Sequence, residues 1–66
     1  MRISDEEAKL IIEEIQSNEK TIKEETSDRI SYTMGDYNYI IDIHDSIGIN
    51  VYRLLLNSEL IWEDVG

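Results

Sequence analysis

Asp42, His44 and Asp45 are the one place in this 66-residue chain where acids and a histidine lie together. Two positions apart on a strand, Asp42 and His44 point to the same side, about 6–7 Å from one another. A carboxylate at that spacing can orient an imidazole as a base or a ligand. The chemistry stops there. His44 is the only histidine, cysteine is absent, and no nucleophile or further ligand stands at a useful spacing. There is no phosphate-binding loop, nucleophile elbow, zinc spacing or calcium loop. The simpler reading of the cluster is a solvated hairpin end, and we expect no enzyme activity, metal or cofactor.

Carboxylates are the other chemistry on offer. Fifteen acids face six bases, a net charge of −9. Twelve of the acids fall into a group at Asp5, Glu6, Glu7, Glu13 and Glu14, a second at Glu19, Glu24, Glu25 and Asp28, and a third at Glu59, Glu63 and Asp64. Such a balance weighs against direct binding of nucleic acid or anionic membranes. Such a surface can merely solvate the chain, or it can steer it onto a larger protein with a basic surface, which is the reading we adopt. Proteins that handle DNA or RNA are the commonest targets of that sign. Strict mimicry of a phosphate backbone is not indicated, because Lys9, Lys20 and Lys23 interrupt the pattern.

The elements that hold these groups can be read from local signals. A chain this short forms a single domain, residues 1–66, with a marginal core. With 41% hydrophobic residues, twelve isoleucines among them, it is nonetheless too apolar for disorder. No apolar run reaches the ~18 residues that span a bilayer, and no signal peptide is expected at Met1. Ser4 and Glu7 form a capping box with Asp5, Glu6 and Glu7 in the first turn, predicting a helix from Ser4 to about Ser17. Ala8, Ile11, Ile12 and Ile15 make its apolar stripe. Leu10 falls on the far side, among Glu6, Glu13 and Glu14, and these four residues are the candidate partner-binding face.

From Thr21 the period changes to two. Thr21 to Thr26 is polar and reads as either a short edge strand or a loop. Gly35-Asp36 closes a hairpin pairing Met34 with Tyr37, Tyr32 with Tyr39, Ile30 with Ile41 and Arg29 with Asp42. Asp45 to Gly48 is expected to turn with a bulge at Gly48, pairing Ile43 with Val51 and Ile41 with Arg53. Asn57-Ser58 closes a third hairpin, pairing Leu55 with Leu60, Leu54 with Ile61 and Arg53 with Trp62, where the guanidinium would lie on the indole. The fold class is α+β: one N-terminal helix packed on a four-stranded antiparallel meander.

In those registers Val51, Leu55, Leu60 and Trp62 join Ile30, Tyr32, Tyr39 and Ile41 under the helix. Ile40, Leu54 and Ile61 then form an apolar row on the opposite face, with Tyr52 and Leu56 beside it. One helix covers one face only, so this row is the candidate interface of a homodimer or of a partner, the alternatives being an unpaired apolar patch or a slipped register.

In size, charge, lack of cysteine and helix-plus-meander pattern, the chain resembles small acidic proteins that phages encode against host defence or host nucleic-acid enzymes. The likeness extends loosely over the whole chain and rests on no motif, so no site residues carry over. It implies a stoichiometric inhibitor acting by occlusion in the host cytoplasm. The alternative is a small regulatory or assembly module, antitoxin-like, that binds a protein partner through the apolar sheet face.

Overall fold

The computed structural model describes residues 1–66. A helix, α1 (Asp5–Ser17), is followed by five strands: β1 (Ile22–Glu25), β2 (Arg29–Met34), β3 (Tyr37–His44), β4 (Ile49–Leu56) and β5 (Glu59–Val65). The strands form one antiparallel sheet in sequence order. The class is therefore α+β, with one strand more than expected.

The helix begins as its sequence dictates. The Glu7 amide donates to Ser4 Oγ at 3.2 Å, and the Ser4 amide donates to Glu7 Oε1 at 3.4 Å. It ends at Asn18, and Thr21 Oγ1 donates to the Ile15 carbonyl at 2.5 Å, turning the chain toward β1. Thirteen residues at ~1.5 Å each span about 20 Å. Five strands ~4.8 Å apart are about 19 Å from first to last. The helix thus crosses the sheet from edge to edge. Its start is tied to β5 by the Ile3 amide on the Ile61 carbonyl (2.9 Å) and by Trp62 Nε1 on Asp5 Oδ1 (2.9 Å). Its end delivers the chain to the opposite edge, where β1 begins.

Strand β1 settles the segment left open between strand and loop. Its backbone pairs with β2, from Ile22 opposite Thr33 to Glu25 opposite Ile30, while all four of its side chains are exposed. An edge strand without a buried face needs no apolar alternation, and charge there discourages pairing with other chains.

The first hairpin holds in every expected pair, with Gly35 at φ +58° in the turn. The second departs by one residue. Gly48, at φ +67°, reverses the chain early enough for Ile49 to pair with His44. Ile43 then lies opposite Asn50, and Ile41 opposite Tyr52 rather than Arg53. A one-residue shift turns every side chain of a strand to the other face. Tyr52, Leu54 and Leu56 therefore face the helix, and Val51, Arg53 and Leu55 face away.

In the third hairpin Leu55 pairs with Leu60 as expected, across Asn57 and Ser58, both at positive φ. A bulge then intervenes between Leu54 and Leu55. Ile61 is the extra residue, so Leu54 faces Trp62 and Arg53 faces Glu63. The bulge keeps both Ile61 and Trp62 on the helix side. The core consists of Ala8, Ile15, Tyr39, Leu54 and Ile61, with Ile11, Ile12, Tyr52, Leu56 and Trp62 packed around it. Burying one such aliphatic side chain contributes about 1.5–3 kcal/mol.

Candidate functional site

These registers dissolve the expected apolar row. Leu54 and Ile61 are buried beneath α1, and Tyr52 and Leu56 pack against the same core. Ile40 alone remains on the open side, between Ser31 and Arg53. The physical reason is the one-residue shift in β4 together with the β5 bulge. The open face instead collects Val51, Leu55 and Leu60, which the sequence placed under the helix, with Ile22 and Val65 at the two edges.

Arg53 is the residue that makes sense of the shift. Under the helix its guanidinium would be desolvated and would lose both carboxylates that it meets on the open face, and desolvating such an ion costs several kcal/mol. On the open face it donates to Asp42 Oδ2 at 2.7 Å and to Glu63 Oε2 at 2.8 Å. Arg29 Nε donates to the other oxygen of Asp42 at 2.6 Å. The expected stack of Arg53 on Trp62 does not form, because the two side chains lie on opposite faces.

This ladder also disposes of the Asp42–His44 pairing. Both oxygens of Asp42 are engaged by arginines, and His44 is exposed at the end of β3. The Arg29 hydrogen bond, with the charges of Arg29 and Arg53, holds the Asp42 carboxyl below its ordinary value against the opposing effect of burial. Asp42 in turn raises Arg29. No three His, Cys, Asp or Glu side chains converge in the way a metal site requires. No helix is long and apolar enough to cross a membrane.

The partner-binding candidates do come together. Leu10 lies on the solvent side of α1 with 69% of its surface exposed. Residues three and four away on a helix are its surface neighbours. For Leu10 these are Glu6, Glu7, Glu13 and Glu14, all exposed. Glu7 is occupied by the cap, whereas Glu6, Glu13 and Glu14 take part in none of the ion pairs of the molecule. Glu7 escaped the sequence reading because its capping role is so evident, although the spacing alone places it beside Leu10.

Beside this face, between α1 and β5, lies a cleft of about 450 Å³. Trp62 and Ile12 supply its apolar wall, and Asp5, Glu13 and Asp64 its acids, with Lys9 as the one cation. Glu13 borders both the cleft and Leu10. The outer side of the helix is thus a predominantly acidic surface with an apolar centre, interrupted by Lys9. Comparison with protein-family models, curated proteins and solved structures finds no match.

Proposed function

We propose that this chain is a non-enzymatic binding protein that docks the outer side of α1 onto a basic surface of a larger protein and blocks it. The observation that carries the reading is Leu10, largely exposed at the centre of four glutamates. An isolated exposed leucine has no meaning of its own. An apolar anchor ringed by polar groups is the usual anatomy of an energetic centre in an interface. Here the ring has one sign, so the complementary surface carries lysine or arginine around a small apolar pocket. Surfaces of that kind are common on proteins that handle nucleic acid, and occlusion of one by a chain of this size is inhibition by simple coverage.

The division of labour follows from general behaviour. Exposed charges at a rim govern the association rate, and the desolvated centre governs dissociation. The test begins with capture of the partner from a host-cell extract on immobilised chain, followed by kinetics on the purified partner. Replacing Glu6, Glu13 and Glu14 together by lysine is expected to slow association severalfold with the helical CD signal unchanged. Leu10→Ala is expected to speed dissociation by roughly 10-fold or more. An association rate indifferent to salt and to the charge reversal would overturn the reading.

A further inference from the structure

We infer that the open face of the sheet is the seat of a second copy of this chain, packed sheet against sheet. The face is built from Ile40, Val51, Leu55 and Leu60, with Ile22 and Val65 at the margins, 63% and 60% exposed. No element of the chain covers it.

Charge identifies the occupant. The face carries Arg29 and Arg53 against Glu24, Asp42 and Glu63, a net of −1, so −8 of the chain's −9 lies elsewhere. Four of these five groups neutralise one another through the Arg29–Asp42, Arg53–Asp42 and Arg53–Glu63 contacts. A basic partner would be drawn to the helix and the loops. Two copies of the chain, by contrast, can approach without strong repulsion only through this face. A surface that has satisfied its own charges asks for a partner that brings none in excess, and an identical face meets that condition.

Area supports the same occupant. Five strands of up to eight residues make a face of roughly 500 Å², from ~4.8 Å between strands and ~3.3 Å per residue. Two copies would bury about 1,000 Å², the lower bound for a specific interface. The need is evident as well: only five of 66 residues are buried, a thin core for a chain with no disulfide. Edge-to-edge association is less suited. Strand β1 presents Lys23, Glu24 and Glu25, and β5 is bulged and partly paired with Ile3.

The experiment is sedimentation equilibrium on the full chain from about 5 µM to about 1 mM, a range that brackets the weak affinity expected of so small an interface. The expected result is a mass rising from 7.7 kDa toward twice that value. Leu55→Glu and Leu55→Lys should both hold the mass at the monomer value while the CD spectrum is retained. Using both signs separates loss of apolar contact from added repulsion. Leu10→Gln, a charge-neutral change on the helix, should leave the association unchanged. Should the Leu55 variants fail to fold, methyl chemical shifts of the wild type on dilution decide the matter. Ile40, Val51 and Leu60 are expected to shift, and Leu10 to stay still. A wild type that is monomeric throughout overturns the inference and leaves the face to a different protein. A dimer that survives Leu55→Lys in a folded chain, or shifts confined to the helix, overturns it equally.

Discussion

On the outer side of the helix, the carboxylates of Glu6, Glu13 and Glu14 stand without a cation around one leucine, with Glu7 held by the cap; on the open side of the sheet, arginines hold carboxylates among aliphatic side chains. Both surfaces mix apolar and charged residues, yet their electrostatics are opposite. The helix concentrates one sign and leaves it unanswered, a surface that attracts cations from a distance. The sheet closes its charges into the Arg29–Asp42–Arg53–Glu63 ladder and presents a nearly neutral surface. Composition alone does not separate the two. What separates them is whether the fold gives each charge a partner.

The largest effect that tests this contrast comes from two adjacent leucines. Leu54 is fully buried under α1, whereas Leu55 is half-buried on the open face. Leu54→Ala is expected to cost about 2–5 kcal/mol, a large fraction of what a domain of this size has in total. Leu55→Ala, measured by urea unfolding at low micromolar concentration, is expected to cost about 1 kcal/mol. Equal costs would mean that β4 does not separate the two faces as described. Leu54→Glu should leave no folded protein to weigh.

That neighbouring leucines differ so much explains which parts of the fold are legible in the sequence. The capping box and the first hairpin are, because Ser4 and Glu7 act locally and Ile30, Tyr32 and Met34 alternate strictly with polar residues. Strand β4 is not, because Leu54-Leu55-Leu56 is apolar on both faces and alternation cannot fix its register. Only Arg53 breaks the run. The opposition of charges that pairs Arg29 with Asp42 also draws Arg53 to the open face, where Asp42 and Glu63 stand. The bulge at Ile61 lies in Leu60-Ile61-Trp62, another run with no break and no glycine to mark it. Strand β1 escapes apolar periodicity because an exposed edge buries nothing. Of the candidate site, the helix residues are legible since local spacing fixes them, whereas the sheet row depended on two long-range registers and went with them.

A second way to sharpen the comparison is salt. If the helix side meets a basic partner, that binding weakens as ionic strength rises, because screening removes the attraction. Association of two copies through the sheet should strengthen instead, since the charge of −8 on the rest of each copy repels its counterpart until it is screened. Between about 50 and 500 mM salt, changes of severalfold in opposite directions are expected. Sedimentation equilibrium and binding kinetics, run in the same buffers, measure the two. A change of the same sign in both would erase the distinction drawn between the surfaces.

The smallest effect lies in the pH dependence of stability, where each side of the sheet governs a different limb. Asp42, on the open face, has its carboxyl held below the ordinary value of 3.8 by the Arg29 hydrogen bond first and by the arginine charges. A depressed carboxyl contributes stability that is complete above the unfolded value and is lost as pH falls through the folded one. Tyr39, on the covered face, behaves in the opposite way. Burial, then the neighbouring Tyr52, Tyr32 and Asp64, raises its phenol above the ordinary value of 10.0. Its contribution is complete below that value and is lost as pH rises through the folded one. Asp42→Asn should therefore flatten the acid limb below about pH 4 and leave the alkaline limb alone. Tyr39→Phe should flatten the alkaline limb above about pH 10 and leave the acid limb alone. Urea unfolding at low protein concentration, repeated across pH, reads both limbs without interference from association. Should Asp42→Asn leave the acid limb as steep as in the wild type, the arginine ladder would have no part in holding the open face together. The neutrality that sets that face apart from the helix would then rest on composition rather than on contact.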